Sequence, residues 1–162
     1  MLDYCKRKWA ENEGLLREAI AKSENHREWQ YIDIVKMVVN YILNPGYQPI
    51  EFNYLWDADV IADIDDGCYQ GSEIFLIHRK AYQPDPQDYL ITYVWYGSCS
   101  GCDTLQSIQY VDIFDRDMPK TPNDEQVNDY MTLCRDIVTR MKQPFGWGCY
   151  SLEEAKVEEE EE

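Results

Sequence analysis

Asp59-Val60-Ile61-Ala62-Asp63-Ile64-Asp65-Asp66-Gly67 is the stretch that decides the fold. Side chains alternate along it with a period of two, the period of a β-strand. Val60, Ala62 and Ile64 share one face, while Asp59, Asp63 and Asp65 share the other with Ile61. Asp66-Gly67 is a turn signal, so a second strand is expected over residues 73–79. Residues 81–88 hold Pro84 and Pro86 and read as a loop. Tyr89–Tyr96 is rich in aromatic and β-branched residues and reads as a third strand. After residues 97–103 a short helix or turn is expected, and residues 109–114 suggest a fourth strand.

The period changes to about 3.6 on either side of this block. Upstream, Cys5, Trp9, Leu16 and Ile20 place a helix over residues 3–22. A second helix is expected from Asn25, with Glu28 three residues on as a capping box. Trp29, Ile32, Val35, Val39 and Ile42 form its apolar stripe, and Asn44-Pro45-Gly46 stops it. Downstream, Val127, Tyr130, Met131, Cys134, Ile137, Val138 and Met141 make the stripe of a long last helix. Thr121 is placed as its cap, Pro122 in its first turn, and Asp124 and Glu125 where the helix dipole favours acids. The expected fold is therefore α+β: two N-terminal helices, a central antiparallel sheet of about four strands, and a long C-terminal helix packed on the sheet. Residues 1–150 read as a single domain and residues 151–162 as an acidic tail. Ser151 and Glu154 form a capping box that can start a short helix in that tail.

The chain has 162 residues and a formal charge of −16, and the charge is uneven. Residues 1–49 are balanced, whereas residues 50–103 carry ten acids against Arg79 and Lys80. The last ten residues carry seven glutamates and Lys156. Such a field repels nucleic-acid and membrane phosphates and attracts basic partners. No run approaches the length of a membrane span, and no apolar run follows the basic residues near the N-terminus as in a secretory signal. Six cysteines in a chain of this kind read as reduced thiols, which points to a cytoplasmic setting.

Four chemistries compete for Tyr96-Gly97-Ser98-Cys99-Ser100-Gly101-Cys102-Asp103. A Cys-x-x-Cys pair between a strand and a helix suits thiol redox work, although Asp103 beside Cys102 opposes thiolate formation. The same pair supplies two zinc ligands, and Cys68 and His78 complete a site only if the strands bring them together. A nucleophile elbow with cysteine for serine needs a downstream histidine, and His26 and His78 both lie upstream. A structural turn, with glycines for conformational freedom and small packed thiols, is the plainest alternative.

Asp63-Ile64-Asp65-Asp66-Gly67 misses the calcium-loop pattern, because glycine falls at position five and Ile74 at twelve. Asp59, Asp63 and Asp65 with Asp115 or Asp117 make a looser magnesium set, without any phosphate cradle. Alternate carboxylates on a strand stand about 6.6 Å apart and can present a row of charge to lysines and arginines. Thirteen tyrosines and five tryptophans add interface-forming residues. Trp9 and Trp29 fall on helix stripes. Tyr47, Tyr54, Trp56, Tyr82, Trp147 and Tyr150 fall in loops, where some are expected to be exposed. Residues 145–148, Phe-Gly-Trp-Gly, read as a contact loop.

The segment YGSCSGCDTLQ at residues 96–106 resembles a block found in small uncharacterised proteins of bacteriophages and prophages. IDDGCYQGSEIF at 64–75 and DEQVNDYM at 124–131 look like companion blocks. The resemblance covers about half the chain, excludes the glutamate tail, and carries no established activity. It implies a phage-borne acidic domain acting in the cytoplasm of a bacterial host, of the kind that inhibits host machinery by occupying nucleic-acid sites.

The expected function is thus non-catalytic binding to a basic host protein, a nucleic-acid-handling or defence enzyme, through a surface that imitates nucleic acid. Asp57, Asp59, Asp63, Asp65, Asp66 and Trp147 are the expected contact residues, with no cofactor and no direct nucleic-acid or membrane contact. The alternative is a thiol or zinc protein acting through Cys99 and Cys102.

Overall fold

A computed structural model describes residues 1–111 and 113–144. Helix α1 spans Asp3–Ala21 and buries Cys5, Trp9, Leu16 and Ile20. Helix α2 spans Tyr31–Val38 and continues through a π-helical turn over Val39–Leu43. The chain then stops at Gly46, whose φ of +97° favours glycine.

The start of α2 differs from the expected one. Asn25 precedes only a single 3-10 turn, His26–Glu28, and gives no side-chain cap. The chain straightens at Trp29, and Gln30 with Asp33 forms the capping box of α2. Burial of His26 and Trp29 against Tyr130 holds this break in place, so tertiary packing overrides the local capping signal.

Strands β1 (Ala62–Asp65), β2 (Gly71–His78) and β3 (Tyr89–Tyr96) form an antiparallel sheet in the order β1-β2-β3. Among the described residues the sheet has three strands rather than about four. The residues expected to begin a fourth belong to α3 (Thr104–Gln109) and the turn after it. Leu105, Ile108 and Gln109 of α3 are buried at a helical spacing, which satisfies their backbone within the helix.

Helix α4 spans Asp124–Thr139 and buries the expected stripe from Val127 to Val138, and Met141, its last expected member, is buried just past the helix end. Its cap is Asn123, not Thr121. The Asn123 side chain accepts from the Gln126 backbone N–H at 2.8 Å, and Gln126 returns a bond to the Asn123 N–H at 3.0 Å.

The helices cover one face of the sheet. Phe75, Ile77, Leu90 and Val94 point into this core with Val35, Val38, Val39, Ile137 and Met141. Thr92 on the same face donates its hydroxyl to the Ile137 carbonyl at 2.8 Å, near the end of α4. Trp9 and Trp29 are buried as their helix stripes require. Among the loop aromatics Trp56 is fully buried and Tyr82 is almost fully exposed. The other face of the sheet is open, with Ile64, Tyr93 and Trp95 exposed.

Among the described residues no helix is long and apolar enough to cross a membrane. Trp147, the 145–148 loop, Cys149, Tyr150, the Ser151–Glu154 box and the glutamate tail lie outside the described residues.

Candidate functional site

Register decides where the acidic residues stand. Asp63 pairs with Phe75 and Asp65 pairs with Glu73, and directly paired residues share a face. Asp63, Asp65 and Glu73 therefore lie on the helix-covered side of the sheet, beyond the edge of the helical layer. Ile64, paired with Ile74, is on the open side and is exposed. The expected alternation holds only over Ala62–Asp65, where all four residues are exposed; Asp59, Val60 and Ile61 lie outside the strand.

Asp65 and Glu73 form one wall of a cleft of about 380 Å³, with Asp63 outside its lining. Asp65, Glu73 and Tyr96 come from the sheet, Asp103 and Gln106 from the start of α3, and Tyr31 from α2. Glu28 adds another carboxylate. Arg27 lines the cleft too, but its guanidinium donates to the Gln109 carbonyl at 2.6 Å and the Val111 carbonyl at 3.2 Å. The second arginine of the region is also engaged elsewhere. Arg79 is buried over the Trp56 ring, donates to the Tyr54 carbonyl and pairs with Asp88 at 3.5 Å. Arg79 is thus paired with Asp88, while Arg27 keeps its charge at the rim of a cleft that also holds Glu28, Asp65, Glu73 and Asp103.

Two opposite shifts mark the cleft. Partial burial pushes the Glu73 carboxyl up to about 8, with a hydrogen bond to Asp63 and the charges of Asp63 and Asp65 adding to the rise. Asp65 moves the other way. The Tyr96 hydroxyl donates to it at 2.5 Å and the Gly67 N–H at 2.9 Å, so its carboxylate is held below the usual range. Tyr96 in turn is held protonated, up to about 12, chiefly by that bond. At neutral pH the wall is a firm carboxylate at Asp65 beside a Glu73 carboxyl that retains its proton.

The other expected contact residues are placed plainly. Asp57 folds over its own turn, accepting the N–H groups of Asp59 at 2.9 Å and Val60 at 3.2 Å. Asp59 is exposed. Asp66 is exposed and accepts the Ser72 N–H at 2.6 Å, closing the hairpin between β1 and β2. The cleft joins Asp65 to Glu73, Tyr96 and Asp103, none of which the sequence had singled out for this site, and Asp63 stands diagonal to Glu73 outside it. The signal for Glu73 was present: it occupies the inward alternation that continues as Phe75 and Ile77, where a carboxylate is out of place.

Next to the cleft, β3 runs into the cysteine turn. The Asp103 side chain is buried and faces three donors: Gly97 N–H at 3.0 Å, Gln106 N–H at 2.8 Å and the Tyr31 hydroxyl at 3.3 Å. It anchors the turn at its base. Cys99 and Cys102 are both exposed free thiols with sulfurs 2.9 Å apart. The Cys102 N–H closes the turn onto the Cys99 carbonyl at 3.0 Å. Cys68 is an exposed free thiol, whereas Cys5 and Cys134 are buried. Among the described residues no three His, Cys, Asp or Glu side chains are gathered so as to hold a metal ion, and this includes the Cys68, His78, Cys99 and Cys102 set.

Comparison with protein-family models, with curated proteins and with solved structures returned no match.

Proposed function

We propose that this chain is a binding protein whose acidic edge, β1 and the adjoining cleft, receives basic side chains of a partner protein. The observation that carries the proposal is the placement of Glu73 opposite Asp65 and diagonal to Asp63, where partial burial and then these neighbouring acids keep its proton on at neutral pH. An arginine or lysine entering the cleft relieves the repulsion from those acids and finds carboxylates already in place.

The partner class follows from charge. Asp63 and Asp65 lie in edge strand β1, Asp57 and Asp59 precede it and Asp66 follows it, and the formal charge of the chain is −16. A partner with a basic surface of the kind that holds nucleic acid is complementary to this edge. The resemblance of residues 96–106 to a phage block favours a host nucleic-acid-handling or defence enzyme as the target, with inhibition by occupation of its nucleic-acid site.

The test is capture from bacterial lysate by wild type and by Asp63→Asn/Asp65→Asn/Glu73→Gln, at low and high salt. The proposal requires a nucleic-acid-binding protein that is retained by wild type at low salt, lost from the triple variant, and displaced by added nucleic acid. Equal retention by both forms, or no displacement by nucleic acid, overturns it.

A further inference from the structure

The cysteine turn has the geometry of a reacting pair. The Cys102 sulfur lies 3.2 Å from the Cys99 backbone N–H and 2.9 Å from the Cys99 sulfur, with the Ser98 hydroxyl at 3.9 Å. When it keeps its proton it donates to the Cys99 carbonyl at 3.3 Å. Gly97 permits this arrangement: a Cβ there would collide with the Cys102 carbonyl and stand 2.7 Å from its sulfur. The Asp103 carboxylate, which in sequence adjoins Cys102, is directed to Gly97, Gln106 and Tyr31. Its expected opposition to a thiolate is therefore reduced. In keeping with this geometry, donation from the Cys99 thiol and then from its backbone N–H lowers the Cys102 thiol below its ordinary range.

We propose that Cys99 and Cys102 form an exchange-active dithiol, with Cys102 the attacking sulfur, that reduces disulfides carried on cationic molecules. The Cys102 thiolate attacks one sulfur of the disulfide R–S–S–R and expels R–S⁻, which takes up the proton Cys102 lost. Cys99 then loses its proton and attacks Cys102 within the mixed disulfide, expelling the second R–S⁻, which is protonated in turn. The protein loses two electrons and two protons to form one Cys99–Cys102 bond, and the disulfide becomes two thiols.

The preference for cations follows from the surroundings. Asp65 and Asp103 line the cleft beside Gly97, and Tyr96, which precedes it, holds the Asp65 carboxylate. Anionic disulfides approach against this field and cationic ones along it.

The test uses the full reduced chain at neutral pH and low salt, with cystamine as the cationic disulfide and oxidised glutathione as the anionic one. Samples are quenched by alkylation and mapped by peptide mass, with exposed Cys68 as the internal reference. The expected result is a Cys99–Cys102 disulfide forming on the order of tenfold faster than any adduct on Cys68. Cystamine should react several-fold faster than oxidised glutathione, with the difference shrinking at high salt. Cys99→Ser should accumulate a mixed disulfide on Cys102, and Cys102→Ser should leave Cys99 no faster than Cys68. Persistent mixed disulfides in the wild type, reaction led by Cys68, or trapping on Cys99 rather than Cys102 would each overturn the proposal.

Discussion

Glu73 stands directly opposite Asp65 across the β1–β2 pair and diagonal to Asp63. This placement links fold and function. Partial burial of Glu73, and then the two neighbouring acids, keep its carboxyl protonated above the ordinary range.

A pH dependence follows, with a definite sign. The Glu73 carboxyl titrates near 8 in the folded chain against an ordinary value of 4.5. Between those values the folded state keeps a proton that the unfolded state has lost, so stability falls as pH rises through the window. Glu73→Gln should remove that fall and be the more stable protein at pH 8. Urea denaturation of both forms from pH 5 to 9 measures it, and parallel curves would contradict the assignment.

His26 has the opposite effect on the acid side. It is buried with Nδ1 2.9 Å from the Tyr130 hydroxyl, and its Nε2 has no partner among the described residues. Burial lowers its pKa to about 4 from 6.5. Its contribution is present above pH 6.5 and is lost as pH falls towards 4, because the unfolded chain binds the proton first. His26→Phe should flatten that limb while keeping a ring between Trp29 and Tyr130. Denaturation midpoints of the two proteins between pH 4 and 7 provide the check.

Thr92 ties the sheet to the last helix. Its hydroxyl satisfies the Ile137 carbonyl, one of the carbonyls near the end of α4 that a helix leaves without an internal partner. Thr92→Val keeps the shape and removes the donor. The expected loss is about 1–3 kcal/mol, the cost of an unsatisfied buried acceptor. A midpoint unchanged in equilibrium unfolding would show that the bond contributes nothing.

Gly97→Ala tests the base of the cysteine turn. The added Cβ forces Cys102 to shift, a small-to-large change costing about 1–3 kcal/mol. The variant should fold less stably and close the Cys99–Cys102 disulfide more slowly, whereas Gly14→Ala, at a helical position with open space around it, should do neither. Alkylation rates and unfolding midpoints separate the two.

Much of the fold was legible in period. Tyr89–Tyr96 has the limits expected of it, α1 ends within one residue of its expected stop, and the stripe of α4 is buried throughout. The errors lie where local signals compete with packing. Asn25 and Thr121 are good caps in isolation, yet burial around Trp29 and a capping box at Asn123 move both helix starts. The 109–114 stretch looked extended, but Leu105 and Ile108 draw the preceding residues into α3. For the site, alternation put Asp63 and Asp65 together, but only strand register shows that Glu73 stands opposite Asp65 and diagonal to Asp63. The turn around Asp103 depends on Tyr31, 72 residues away, which no local pattern connects to it.

The most direct measurement titrates a fluorescent arginine-rich peptide into wild type, into Asp63→Asn/Asp65→Asn/Glu73→Gln, and into Glu11→Gln/Glu13→Gln/Asp129→Asn. The last variant changes exposed acids on α1 and α4. At neutral pH Glu73 keeps its proton, so the first variant removes two negative charges and the second three, and loss of nonspecific attraction to a chain of charge −16 alone would weaken the second variant more. If the β1 edge and its cleft form the site, the first variant should weaken binding at least tenfold. The second should bind nearly as wild type, and wild-type affinity should rise as Glu73 ionises towards pH 8. Weakening of the second variant equal to or greater than that of the first would mean that the peptide senses only the overall charge, and the account of a built acidic site would be wrong.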